Sequence, residues 1–413
     1  MDVAMVERLA GPEGWSLLQA LPEYDEASAL QLQTRLREHG VDPALLAAAM
    51  GQSRLRARAR EKFGEFARGM LLTSDGLEQS TRLPLAARHA GRFAAAGIAL
   101  VHDLGCGLGA DAMALAALGL DVSAVDADPV TAAMAAVNLR HWPGSTVRCA
   151  RAEQVRLPAG AEARTVGAWV DPARRTVGVA DARGRTRRVR SLDDISPSWD
   201  EVRGIADRVA ATGAKLSPAF PHAAVPPGAE AQWTSWHGEV LECAVWWGPL
   251  AETAGRTAAV CGPGSAVVVT EAAAAGALGR EPLGSLDTMG DWLYEADRAV
   301  IRAGLTGALV AAVDGTELGA DMGYVTSSAA YDVGWARRYR VRAALPFSTS
   351  TLGRWLRDHG HDRVTIKKRG IATDPDLLRR RLKMTGRGKG GSEATLVLTR
   401  VGGRQVAVVV EPA

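Results

Sequence analysis

The sequence is poor in the features that would place it in a membrane or in an oxidising compartment. None of its apolar stretches reaches membrane-spanning length without interruption. Its start, Met1 to Gly11, lacks a basic segment followed by an apolar core, so a cytoplasmic location is expected. The four cysteines, Cys106, Cys149, Cys243 and Cys261, are scattered along the chain. Without the paired spacing of a zinc site they read as reduced thiols packed like small apolar residues, and no metal is expected. No G-K-[ST] follows any glycine-rich turn, which excludes a nucleotide-binding P-loop.

Net charge is small too, +3 over 413 residues, but it is unevenly spread. Trp335 to Arg404 hold 18 Lys and Arg against 5 Asp and Glu, a balance of +13, so the rest of the chain sums to −10. A basic module joined to an acidic one points to a polyanionic partner. The length calls for two to four domains.

What the chain does have is a glycine turn, V-H-D-L-G-C-G-L-G-A-D from Val101 to Asp111. An apolar run precedes it and Ala112 to Leu120 has helical composition, so the stretch reads as strand, tight turn and helix. The glycines allow a sharp turn and the close approach of a ligand that a Cβ would block. A dinucleotide fingerprint spaces its glycines G-x-G-x-x-G, whereas here they fall G-x-G-x-G, with Asp111 where a pyrophosphate would sit. A carboxylate there suits a cationic or amine-bearing ligand.

From Asp103 to Asp111 the chain resembles motif I of the class I S-adenosylmethionine-dependent methyltransferases. In that reading Asp103, Gly105, Cys106, Gly107, Gly109 and Asp111 surround the cofactor. A second apolar run, Val122 to Val125, ends in Asp126 and Ala127, where the carboxylate can accept both ribose hydroxyls. After a third strand, Ser145 to Cys149, the resemblance puts Glu153 at the adenine amino group; otherwise Glu153 is a surface residue. Gln79 and Thr81, just ahead of a helix leading into the glycine strand, would cover the cofactor's methionine end or cap that helix.

Thr165 to Val170 forms the fourth strand and ends D-P-A-R-R from Asp171 to Arg175. This is similar to the D-P-P-Y motif of methyltransferases acting on nucleobase nitrogens. An exocyclic amine is a poor nucleophile until its N–H groups are held, and Asp171 with the carbonyl of Pro172 would hold them. Arg174 stands where that motif has an aromatic ring, and its guanidinium plane can stack on a base or hold a phosphate. The basic stretch Thr176 to Arg190 reads as a surface hairpin or loop beside this site.

Elsewhere, helices are expected at Ala27 to His39 and Asp42 to Phe63, and the run Arg54, Arg56, Arg58, Arg60, Lys62 reads as a solvated face. Ser198 to Thr212 should be a helix and Ala214 to Ser217 the fifth strand. Gln232 to Trp236 and Thr257 to Val260 read as final antiparallel strands with Glu239 to Trp247 a helix between them; Trp233, Trp236, Trp246 and Trp247 read as core. Further on, Asp297 to Val313 reads as one amphipathic helix. Beyond it Lys367, Lys368, Arg369 and the loop G-R-G-K-G-G, with Arg387 and Lys389, suit phosphate contacts.

The whole layout resembles bacterial RNA-methylase-like proteins that join a class I methyltransferase core to a ferredoxin-like segment and a C-terminal THUMP-like domain. The residues that carry it are D-L-G-C-G-L-G-A-D, D-P-A-R-R, K-L-S-P, L-Y-E-A-D-R-A-V-I-R-A-G-L and R-L-K-M-T-G-R-G-K-G-G-S-E-A-T-L-V-L-T-R. The resemblance implies an α/β, Rossmann-like core, S-adenosyl-L-methionine as cofactor and RNA as partner. The expected domains are helical 1–98, methyltransferase 99–272, ferredoxin-like 273–340 and THUMP-like 341–413. Two other readings fit the core: methylation of a small molecule or protein, and RNA binding on a non-catalytic cofactor-binding scaffold. A more distant likeness, in the core alone, is to trimethylguanosine synthase.

Overall fold

Helices start where the sequence supplies caps and prolines. Asp2 accepts the Met5 amide and opens α1 (Val3–Ala10), and Pro12 begins α2 (Pro12–Ala20). After α3 (Ala29–Glu38), Asp42 accepts the Leu45 amide at 2.8 Å and Pro43 stands at the first position of α4 (Pro43–Phe63). α5 (Ser74–Gln79) and α6 (Leu83–Ala95) follow. The computed structural model describes residues 1–158, 160–173, 175–180, 186–188, 192–277, 279–384 and 392–413. They form two compact units, Met1–Leu216 with Trp246–Glu252, and Ser217–Val245 with Thr253–Ala413.

The basic run on α4 is not all solvated, which corrects the sequence reading. Arg54 and Arg58 are exposed, but Arg56 is buried and its Nε donates to the Met70 carbonyl at 2.8 Å. Lys62 Nζ donates to the carbonyls of Leu77, Glu78 and Ser80 at 2.8, 2.7 and 2.9 Å. Cations at every second position advance about 200° around a helix, so some must turn inward, where carbonyl oxygens satisfy them.

In the first unit strands alternate with helices: β1 (Leu100–Leu104), α7 (Ala110–Ala117), β2 (Asp121–Asp126), α8 (Pro129–Leu139), β3 (Ser145–Cys149) and β4 (Val166–Val170). A short antiparallel pair, β5 (Arg175–Ala180) with β6 (Thr186–Arg188), lies in the basic insertion. Then come α9 (Trp199–Arg208), capped by Ser198, and β7 (Ala211–Leu216). The parallel strands stand in the order β7-β4-β1-β2-β3. Chain order reverses between β1 and β4, and a ligand crevice forms outside the carboxyl ends of strands at such a point. The residues there are Gly105 and Asp171. This is the Rossmann-like α/β core expected.

Next, β8 (Glu230–Trp236), β9 (Glu239–Trp246), β10 (Gly255–Gly262) and β11 (Ser265–Thr270) are all strands, in the second unit but for Trp246. Residues 239–247 are thus not a helix. His237 and Gly238, at φ of 51° and 79°, make a tight hairpin turn, and Val240, Val245 and Trp246 suit the strand after it. β8 and β10 run parallel rather than antiparallel; the antiparallel partner of β10 is β11. Trp233 and Trp246 are fully buried, as core residues should be.

The remainder of this unit is a seven-stranded sheet with short helices. It comprises α10 (Glu271–Ala274), β12 (Trp292–Ala296), α11 (Arg298–Arg302), α12 (Thr306–Ala312), β13 (Thr316–Glu317), β14 (Tyr324–Ser327), β15 (Ala336–Pro346), α13 (Thr349–Asp358), β16 (His361–Lys368), α14 (Pro375–Arg381), β17 (Ser392–Val401) and β18 (Arg404–Pro412). Strand order is β13-β14-β12-β15-β18-β17-β16. The single helix expected over 297–313 is broken at Gly304, whose φ of 69° ends α11. One core of this sheet gathers Leu352, Leu356 and Leu378 with Leu396, Leu398 and Val409. The other packs Tyr324, Tyr339, Val397 and Val408.

Candidate active site

The site grows from the ends of β1 and β4. Gly105, Gly107 and Gly109 all have positive φ, of 90°, 55° and 83°. At Gly105 an added Cβ would lie 2.6 Å from the carbonyl oxygen of Asp171, so only glycine lets the two strand ends come this close. At Gly107 no atom of the described residues lies within 4 Å of the same position, which leaves open space over the turn. The Gly105 and Cys106 amides donate to the Val125 carbonyl at 3.0 and 2.9 Å, fixing the turn against the end of β2. Asp126 accepts the Gly107 and Asp128 amides at 3.0 and 2.9 Å, and burial lifts its carboxyl above the ordinary carboxylate value.

Behind the turn lies a chain of polar side chains. Asp111, on the first turn of α7, accepts from Thr81 Oγ1 at 2.7 Å and faces His89 Nδ1 at 2.8 Å. Lys215, buried on β7, donates to Thr81 Oγ1 at 3.0 Å and is ion-paired with Asp171. Burial opposes the charged form of Asp111, but His89, Lys215 and Thr81 outweigh it and hold the carboxyl below its usual range. Thr81 is therefore not a helix cap; its hydroxyl ties Lys215 to Asp111.

Asp103 stands apart. It is 1% exposed and neither carboxylate oxygen has a hydrogen-bond partner among the described residues. Burial first, then the charges of Asp111 and Asp171, push its carboxyl well above the ordinary value. An orphaned buried carboxylate beside an open glycine turn fits a ligand that brings positive charge, and the sulfonium and ammonium of S-adenosylmethionine are such charges.

The other candidates are placed as follows. Gln79 is exposed and its amide turns back to the Asp75 carbonyl at 3.1 Å. Cys106 is buried, Ala127 is exposed, and Glu153 is exposed on a short turn after β3. Asp171 is about a quarter exposed at 26%, and Pro172 is buried. Arg174, Arg387 and Lys389 lie outside the described residues. Lys367 Nζ donates to Glu295 Oε2 at 2.7 Å, Arg369 reaches Glu295 Oε1 at 3.4 Å and donates to the Met322 carbonyl at 2.6 Å. Lys368 is exposed and donates to the Thr373 carbonyl at 2.8 Å.

Sequence reasoning missed Lys215 and His89. Lys215 is the one ionisable residue in A-T-G-A-K-L, a strand otherwise buried on both faces, and such a lysine requires a partner. His89 sits among alanines and leucines on the buried side of α6. No three His, Cys, Asp or Glu side chains gather as a metal site would among the described residues. No helix among them is long and apolar enough to cross a membrane.

Residues 336–412 match a family described as THUMP domain-like, and residues 2–59 a domain of unknown function. The chain is 30% identical over 357 residues to a Mycobacterium tuberculosis protein named an uncharacterized S-adenosylmethionine-dependent methyltransferase, covering 84% of this chain and 91% of that one, in both strains CDC 1551 and H37Rv. A crystal structure from Porphyromonas gingivalis W83, provisionally assigned as a methyltransferase, superposes with a TM-score of 0.69 at 20% identity, over 95% of this chain and 100% of that one.

Proposed function

Because the chain belongs to the S-adenosylmethionine-dependent methyltransferases, we propose that it methylates a nucleobase of RNA at the carboxyl end of β4, with the basic C-terminal region holding the RNA. The observation that carries this reading is the Asp171 carboxylate, fixed by Lys215 at a strand end whose backbone touches the glycine turn. The THUMP-like match and the +13 balance of residues 335–404 support RNA over other acceptors.

The cofactor, when bound, would supply a methyl group on a sulfonium sulfur, which leaves readily as a neutral thioether when the C–S bond breaks. Everything else is positioning. Gly105, Gly107 and Gly109 give the cofactor access to the backbone, Asp103 balances its positive charge, Asp126 takes the ribose hydroxyls and Glu153 takes the adenine. Asp171 and the Pro172 carbonyl accept the N–H groups of an exocyclic amine and aim its lone pair. Lys215, ion-paired with Asp171, keeps its carboxylate oriented. Arg174 stacks on the target base or holds its phosphate. The residues at 341–413 form the RNA-holding domain, in which phosphate contacts give affinity without base specificity.

The test is transfer of labelled methyl from S-adenosylmethionine to RNA from cells lacking this protein, followed by nucleoside mass spectrometry. A new labelled nucleoside is expected. If label stays absent while calorimetry shows cofactor binding, the acceptor is not RNA.

A further inference from the structure

The polar side chains behind the glycine turn close into a circuit. Lys215 Nζ donates to Thr81 Oγ1 at 3.0 Å, and Thr81 gives its only hydroxyl proton to Asp111 Oδ2 at 2.7 Å. Against the effect of burial, its neighbours hold Asp111 below the usual carboxylate range, so it carries no proton. His89 Nδ1, 2.8 Å from Asp111 Oδ1, must then be the donor. The hydrogen bonds have one direction, inward to Asp111 from Lys215 and from His89.

Both ends of the circuit return to β4. Lys215 is ion-paired with Asp171, and the His89 imidazole lies 4.5 Å, centroid to centroid, from the indole of Trp169, two residues before Asp171. Trp246 stacks on Trp169 at 5.2 Å. The packing beneath Lys215 is tight: a Cβ added at Gly213, two residues before it, would lie 2.6 Å from Trp246 and 2.8 Å from Trp169. Thr81, His89, Asp111 and Lys215 are 6, 6, 7 and 4% exposed, so water cannot stand in for a lost partner. Packing alone would be served as well by apolar side chains of the same shape. What the polar chain adds is a fixed place for its last member, the carboxylate at the crevice.

We propose that Thr81 and His89 are positioning residues of methyl transfer, which act through Asp111 and Lys215 to set the Asp171 carboxylate against the acceptor amine. This rests on the reading of Asp171 as the group that holds that amine. It gives Thr81 and Asp111 a duty toward the acceptor rather than toward the cofactor's methionine end.

The experiment joins a measurement that needs no acceptor to one that does. In the full-length protein carrying isotope-labelled histidine, the nuclear magnetic resonance of His89, assigned by its loss in His89→Asn, is expected to report a protonated Nδ1. It is expected to move in Asp171→Ala, because Lys215 freed from Asp171 shifts on Thr81. An unprotonated Nδ1, or a resonance that stays in place, overturns the proposal. In labelled-methyl transfer to RNA from cells lacking this protein, Thr81→Val keeps the side-chain shape and removes the hydroxyl. Turnover is expected to fall between about tenfold and 10²-fold, the order of loss for a reacting group misplaced by about 1 Å, with cofactor affinity by calorimetry unchanged. Thr81→Ser restores the hydroxyl and is expected to recover most of the rate; His89→Asn, which keeps a donor, is expected to exceed His89→Phe, which has none. Adding Thr81→Val to Asp171→Ala is expected to cost nothing further. Wild-type turnover in Asp171→Ala fells the reading of Asp171 and this proposal with it. Losses that multiply in the double variant, or weakened cofactor binding with normal turnover in Thr81→Val, overturn the positioning role alone.

Discussion

Asp171 and Asp103 are carboxylates at the same crevice, yet they are held differently. Asp171 has the ammonium of Lys215 against it; Asp103 has no partner among the described residues and is buried. Asp171→Ala is expected to lower methyl transfer about 10²- to 10³-fold, the usual cost of removing one aligned polar group at a reacting centre, with cofactor affinity kept. Transfer at the wild-type rate would remove Asp171 from the site. Asp103 makes a pH-dependent claim. Its carboxyl lies well above the ordinary range in the free protein, and a cation placed against it lowers that value. Cofactor binding therefore expels a proton wherever the pH lies between the two values. Affinity rises with pH through that window and levels off above it. Calorimetry in buffers of different ionisation enthalpy counts the proton, and Asp103→Asn is expected to lose it; an unchanged count in the variant sinks the assignment. Asp103, Gly105 and Asp126 were legible in the sequence because one short segment and its strand partner carry them. Lys215 and His89 were not, since Lys215 meets Thr81 across 134 positions of chain and Asp111 meets His89 across 22. Such pairings exist only once the sheet has formed.

At the scale of elements, α4 braces the strip that delivers Thr81. Gln52 exchanges hydrogen bonds with Leu72 in both directions at 2.8 Å, Arg56 holds Met70, and Lys62 collects three carbonyls at the end of α5. From the opposite side, Asn138 of α8 binds Leu71 and also the Leu108 carbonyl in the glycine turn. The strip 70–81 that delivers Thr81 is thus held by helices on two sides. Lys62→Met is expected to free the end of α5 at a cost of about 2 kcal/mol, in the range for hydrogen bonds from a charged donor. Hydrogen exchange should quicken across 74–81 while the sheet amides stay protected; unaltered exchange there would show that Lys62 does not hold the strip. Helix starts such as Asp42-Pro43 could be read directly, because a cap and a proline act within one turn. The strand β9 could not, because E-V-L-E-C-A-V-W offers both a helical and an alternating pattern, and the hairpin turn at His237-Gly238 decides between them. The strand β16 was equally hidden, its H-D-R-V-T-I-K-K being too polar to stand out from a loop; its pairing with β17 makes it a strand.

For the whole molecule, the separation of charge along the chain is the property to test, and the structure divides the basic residues of the tail by what they already hold. Lys367 and Arg369 are tied to Glu295, whose carboxyl is held below its usual range by Lys367 against the opposing effect of burial. Lys368 faces solvent. These cations should behave differently. Lys367→Ala is expected to destabilise the second unit, measured by urea unfolding, because Glu295 loses its ammonium. Replacing Lys368, Arg387 and Lys389 together with alanine is expected to leave stability unchanged and to act on RNA binding. On a single strand each phosphate contact contributes about 0.7 to the slope of log affinity against log salt, so for six contacts affinity falls about 300-fold between 50 and 200 mM salt. The triple variant should therefore show a slope shallower by about 2, with the same loss for RNAs of different sequence. A slope that does not move would mean that RNA, if bound, is held elsewhere. A loss confined to one sequence would mean that these residues read bases instead of neutralising phosphates, and the division of labour between a basic tail that grips and a core that methylates would fail.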